Sequence, residues 1–137
     1  MKVKKFQSVF MLTIVLAFVS LFSSCKKDED VRDDYVGSYR TNFEFTQDGQ
    51  IYSGTYTLTI VKSATNVNDI ILNNIDGWGE SVRATVSGNA MTIPQQTIQD
   101  IGISGSGTLN GNVLNFSTME TQTGGTPINV IQIATKQ

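Results

Sequence analysis

The 137-residue chain contains no histidine, one cysteine, two prolines and one tryptophan. Without imidazole there is no His-based nucleophilic triad, no His-ligated metal and no side chain whose ordinary pKa lies near neutrality. The lone cysteine, Cys25, has no intramolecular disulfide partner and cannot build a thiolate metal cluster. Basic side chains are also scarce: beyond residue 34 only Arg40, Lys62, Arg83 and Lys136 are present. A nucleic-acid surface needs a dense cationic field, so that class of partner is excluded. After Cys25 no apolar stripe of helical period is long enough to supply a parallel crossover.

What is present begins with a basic tip, Met1-Lys2-Val3-Lys4-Lys5, an apolar run from Phe6 to Leu21, and the close Leu21-Phe22-Ser23-Ser24-Cys25. The run has the length of a processing signal and falls short of the roughly 20 apolar residues a membrane span requires. This order resembles a bacterial lipoprotein signal, which implies cleavage after residue 24 and attachment of fatty-acyl chains to Cys25. Two or three chains make membrane attachment persistent where one does not. An ordinary secretory signal with a free thiol, or a short membrane anchor, reads the same residues differently. Loss of Lys2, Lys4 and Lys5 leaves seven basic against twelve acidic side chains, a net charge of −5.

Residues 25–34 carry five acids and one arginine after the lysine pair, and too little apolar area to offset ordering entropy. They are expected to form a solvated acidic tether that lifts the next domain roughly 30 Å from the lipid. The acidic run after Cys25 resembles the export signal that places Bacteroidetes lipoproteins on the outer face of the outer membrane; a plain charged spacer explains the same residues.

Residues 35–137 are enough for one core. Tyr56, Leu58 and Ile60 alternate with Thr55, Thr57, Thr59 and Val61, and Val82, Ala84 and Val86 alternate with Arg83, Thr85 and Ser87. That period of two predicts half-solvated strands. Eight are expected, at 37–46, 51–62, 67–74, 81–87, 90–97, 102–109, 112–119 and 128–135. Gln47-Asp48-Gly49-Gln50, Ser87-Gly88-Asn89 and Asn110-Gly111-Asn112 read as hairpin turns. Pro94 predicts a bend in the fifth strand, because proline cannot donate to a ladder. Short connections throughout make an all-β antiparallel meander. Closing it into an eight-stranded barrel removes both exposed edges, and a two-sheet sandwich is the alternative.

The stretches Val36-Gly37-Ser38-Tyr39, Gly54-Thr55-Tyr56-Thr57-Leu58-Thr59-Ile60, Ile70-Ile71-Leu72-Asn73-Asn74-Ile75, residues 82–94 and residues 103–109 resemble the small lipocalin-like (calycin-type) lipoproteins common in Bacteroidetes. The resemblance implies a barrel and a cell-surface address, and assigns no substrate.

For chemistry, Asp76 and Glu80 bracket Gly77-Trp78-Gly79, a pair that could hold a sugar or, with backbone carbonyls, a hard cation such as calcium. Trp78 is expected to fold over the barrel end as a plug or to stand exposed as a binding anchor. Tyr35, Tyr39, Phe43, Phe45, Tyr52, Tyr56 and Phe116 either fill the interior or line a cavity for a small apolar or amphipathic ligand. The candidate ligand-binding set is thus Trp78, Tyr39, Tyr52, Tyr56 and Phe116, with Cys25 for lipid. Asp69 and Asp100 are expected to cap loop amides. No catalytic residue, metal or cofactor is expected. The alternative function is an envelope accessory protein that contacts a partner protein or surface polysaccharide through the outer hydroxyl-rich wall.

Overall fold

The computed structural model describes residues 29–137; the signal segment, Cys25 and the first residues of the tether lie outside the described residues. A four-residue helix, α1 (Arg32–Tyr35), precedes eight strands: β1 (Gly37–Gln47), β2 (Gln50–Lys62), β3 (Asp69–Asn73), β4 (Ser81–Ser87), β5 (Ala90–Ile98), β6 (Ile101–Asn110), β7 (Val113–Gln122) and β8 (Ile128–Lys136). Each strand pairs antiparallel with the next, and β8 returns to β1 to close the barrel, with Tyr39 opposite Lys136 and Phe45 opposite Val130. Closure rules out the two-sheet alternative.

Alternation decides which residues enter the lumen. Tyr39, Leu58, Ile60, Val82, Ala84 and Leu114 are fully buried or nearly so, whereas their neighbours Arg40, Thr57, Thr59, Arg83 and Asn115 face outward. Each such Leu, Ile or Val side chain contributes about 1.5–3 kcal/mol on burial. The hairpin turns behave as their residues require: Asp48 and Gly49 both take positive φ, and Gly88 and Gly111 do so in their own turns. The Gln99-Asp100 turn achieves the same geometry without glycine, at φ 46° and 69°.

The β4–β5 seam is the weak point of the wall, with only Thr85–Thr92, Val86–Met91 and Ser87–Ala90 in register. The β5 ladder to β6 shifts between Ile93 and Gln96, where Pro94 withholds a donor. The Gln96 side chain fills the resulting gap. Its amide donates to the Arg83 carbonyl at 2.8 Å and accepts from the Arg83 N–H at 3.1 Å, replacing backbone pairing with side-chain pairing.

One barrel end is sealed. Tyr35 at the end of α1 is fully buried; its hydroxyl donates to the Gly88 carbonyl at 3.2 Å, and the Tyr39 hydroxyl donates to the Tyr35 carbonyl at 2.7 Å. Burial pushes the Tyr35 hydroxyl up to about 12. The expected solvated tether therefore ends earlier than residue 34. Asp30 accepts from Arg32 at 2.7 Å and from Lys62 at 2.9 Å, Asp33 pairs with Lys62 at 2.6 Å, and Arg32 also donates to the Ser63 and Asn66 carbonyls. Composition alone hid this, because Asp30 and Asp33 share Lys62 of the barrel wall and Arg32 reaches carbonyls of the β2–β3 loop. Asp69 differs as well: it lies buried in β3 and accepts from Arg83 at 3.0 Å and Thr85 at 2.8 Å, a strand-to-strand tie that is no loop cap.

Candidate functional site

The end opposite α1 is open. Inward positions Phe43 and Phe45 of β1 line it on one side, and Gly54 of β2 leaves room for the Phe43 ring: a Cβ there would lie 2.8 Å from it. Phe43 and Phe45 stack at 6.3 Å, Phe45 stacks on Tyr52 at 5.1 Å, and Phe43 meets Tyr56 at 6.3 Å with a 47° tilt. A row of rings thus descends from the rim into the lumen.

The β3–β4 connection arches over the mouth from the β2 side, where Gly77 approaches Tyr56. Its backbone is unusual: Asn74 and Asp76 take positive φ of 63° and 52°, followed by Gly77 and Gly79 at 77° and 79°. Such conformations cost of order 1–3 kcal/mol each for non-glycine residues and need support. Asn74 supplies it, donating to the Thr57 carbonyl and accepting from the Gly79 N–H, both at 2.8 Å. Ile75, fully buried, anchors the short 3-10 turn Ile75–Gly77 from below. The strained arch directs the Asp76 carboxyl into the barrel.

Asp76 lands on a buried polar layer. The Gln132 amide nitrogen donates to Asp76 Oδ1 at 2.6 Å and to Thr118 Oγ1 at 3.2 Å, while Thr118 donates to Glu120 Oε1 at 2.9 Å. The Tyr56 hydroxyl donates to Gln132 Oε1. Thr41, Thr118 and Gln132 are fully buried, and two buried polar atoms receive no partner: Asp76 Oδ2 and Thr41 Oγ1. Burial, and then the neighbouring Glu120 charge, pushes the Asp76 carboxyl up to about 8. Burial also raises the Tyr56 hydroxyl, with the Asp76 charge adding to it.

Above this layer lies a cavity of about 480 Å³ bordered by Phe43, Phe45, Asp48, Asp76, Trp78, Glu120 and the β7–β8 loop residues Gly125 to Pro127. Trp78 borders this cavity at its rim and is 43 % exposed. Tyr56 joins the polar layer, and Tyr52 stands at the rim, 48 % exposed. Tyr39 and Phe116 do not border the cavity: both are packed in the closed half, where aliphatic neighbours fill the lumen around them. The aromatic set is therefore divided between a filled core and an open mouth.

The Asp76–Glu80 pairing is not formed. Glu80 turns outward to accept from Gln99, and Asp76 faces Glu120. Among the described residues no three acidic side chains converge as a metal-ligand set. Glu120, Gln132 and Thr118 were missed from sequence, although each left a trace: all three occupy even positions whose neighbours in phase, Leu114, Phe116, Val130 and Ala134, are buried apolar residues. A polar side chain in phase with a core face is a buried-polar signal.

No protein-family model matches the chain, and no curated protein matches it in sequence. The closed eight-stranded antiparallel barrel is consistent with a lipocalin-like fold.

Proposed function

We infer that this protein is a lipid-anchored, non-catalytic binding module that takes a small amphipathic molecule at the barrel mouth. The observation that carries the reading is the cavity of about 480 Å³, with aromatic rings and the Asp76 and Glu120 carboxyls in its lining. Its volume falls within the range of small-molecule sites, and its mixed lining suits a ligand with one apolar and one polar end. The carboxyl arrangement favours binding over bond cleavage. Glycoside hydrolysis sets two carboxyls roughly 5–9.5 Å apart around the scissile bond, whereas Asp76 and Glu120 belong to one buried polar layer, linked through Gln132 and Thr118. Native mass spectrometry of the protein extracted gently from its source membrane should reveal a retained small molecule that is lost on Phe43→Ala with Trp78→Ala. A bare protein mass, or retention unaffected by both substitutions, would sink the reading.

Attachment through acylated Cys25 to the outer membrane belongs to the same proposal, on the cell surface or, alternatively, on the periplasmic face. It is supported by the basic-apolar-cysteine order and by the resemblance to Bacteroidetes lipoproteins. The ion-paired turn at residues 30–35 sits at the sealed end, so a chain anchored at Cys25 would hold that end toward the lipid and the mouth away from it. Four residues separate Cys25 from Asp30, a reach of at most about 18 Å between sealed end and membrane. Metabolic labelling with a fatty acid should mark the wild type and leave Cys25→Ala unmarked; equal labelling would overturn the anchor. A second reading, contact with a partner protein or polysaccharide through the outer wall, draws on exposed Ile131 and Ile133 beside Asn42, Ser53 and Thr55.

A further inference from the structure

The mouth carries a charge asymmetry that its size and shape do not require. Three carboxyl groups border the cavity, Asp48 from the β1–β2 turn, Asp76 from the arch and Glu120 from β7, and no lysine or arginine does. Asp76 Oδ2 is shielded from water and receives no N–H or O–H from the side chains around it, so the Asp76–Glu120 pair is held by a proton of its own. A buried carboxyl pair that no neighbouring donor reaches is open to a donor supplied by a ligand. Thr41, fully buried, is likewise unpartnered at its hydroxyl and lies opposite Tyr56 in the β1–β2 ladder, at the floor of the same layer. Phe43, Phe45 and Trp78 border the same cavity, and aromatic rings attract a cation as well as an apolar group.

We propose that the molecule taken at the mouth is an amphipathic primary amine in its ammonium form, with the N–H groups meeting the Asp76–Glu120 pair and the apolar part lying along the Phe43–Phe45–Trp78 wall. The proposal rests on the reading of the mouth as a binding site and adds the charge of the ligand. An anion would face the negative charge of the Asp76–Glu120 pair and of Asp48. A neutral alcohol could satisfy Asp76 Oδ2 but would leave the charge of the pair uncompensated. The ammonium does both.

The groups facing Asp76 are Glu120 from β7, Tyr56 from β2 and Gln132 from β8, with Asp48 on the rim; none is basic. Because burial and Glu120 raise the Asp76 carboxyl to about 8, the empty site carries a proton at neutral pH. Ammonium binding breaks the Asp76 O–H bond and releases that proton to solvent, and the carboxylate it leaves is paired with the ligand's N–H groups. Binding is therefore linked to pH, strengthening about tenfold per unit between pH 6 and 8.

The chain's single tryptophan, Trp78, sits on the cavity rim and reports occupancy by its own fluorescence. Three matched probes, phenethylammonium, 2-phenylethanol and 3-phenylpropionate, should be titrated into the full-length protein. The ammonium is expected to bind at least about tenfold more tightly than the other two, with the pH dependence above and with release of close to one proton at pH 7 by calorimetry in buffers of different ionisation enthalpy. Asp76→Asn combined with Glu120→Gln should abolish the preference while 2-phenylethanol still binds. Equal affinity for alcohol and ammonium, or pH-independent ammonium binding, overturns the cationic assignment and leaves the binding site standing. Failure of all three wild-type titrations overturns the binding site itself.

Discussion

Replacing Asp76 by Asn should stabilise the barrel at pH 8 and leave it nearly unchanged at low pH. In the folded protein the Asp76 carboxyl is raised from 3.8 to about 8, first by burial and then by Glu120. A group whose folded pKa lies above its unfolded one contributes stability that is fully present below the unfolded value and is lost as pH rises through the folded one. The window runs from about pH 4 to about pH 8. Four units at about 1.36 kcal/mol each amount to about 5 kcal/mol, and because Asp76 borders an open cavity, water reduces the share felt by folding to about 2–3 kcal/mol. Asn keeps the Oδ1 acceptor used by Gln132 and offers an N–H toward Glu120 where the protonated acid offers O–H. It therefore mimics the low-pH form at every pH. Denaturant unfolding of wild type and variant at half-unit steps from pH 4.5 to 8.5, followed by circular dichroism, gives a difference curve that cancels the titrations common to both. That curve should rise toward the variant by about 2–3 kcal/mol at pH 8. A flat difference, or a wild type more stable at pH 8, refutes the buried-proton account.

Gln132→Met removes the amide that joins Tyr56, Asp76 and Thr118, so three buried polar groups lose a partner at once. Unfolding free energy should drop by about 2–4 kcal/mol, well beyond the change expected from volume alone; a loss below about 1 kcal/mol would show that water replaces the amide. At Gly107 a Cβ would stand 2.5 Å from Phe116 Cβ and 2.8 Å from the Asn115 carbonyl, whereas at Gly111 it meets nothing within 4 Å and only φ of 58° opposes it. Thermal melts should rank Gly107→Ala below Gly111→Ala, by about 1–3 kcal/mol against about 1 kcal/mol, and the reverse order would contradict the close β6–β7 approach.

The strand pattern was legible almost throughout. The expected strand at 81–87 is β4 itself, and most other boundaries moved by one or two residues. β3 is shorter than its expected span because residues 67 and 68 stay in the preceding turn, where the Asn66 side chain accepts the Asn68 N–H. β6 begins at Ile101 because Gln99 and Asp100 turn the chain without glycine, a signal that composition does not carry. β7 runs on to Gln122, past its expected end at residue 119, pairing Glu120 with both Ile103 and Ile128. That extension is what brings Glu120 to the mouth. The candidate site was legible in part: Trp78, Tyr52 and Tyr56 belong to the mouth or the layer beneath it, while Tyr39 and Phe116 share the same alternating phase and fall in the sealed half.

By itself the sequence determined the wall. Alternation, turn residues and Pro94 are local properties, and each acts through sterics or hydrogen bonding within a few residues of itself. The lack of histidine likewise removed whole classes of chemistry without reference to any fold. Tertiary structure alone decided which end of the barrel is sealed and which carboxyl Asp76 faces. Those outcomes depend on how registers add up around a closed circuit, since β1 meets β8 and the lumen brings residues 76, 120 and 132 together across chain separations that no local pattern encodes.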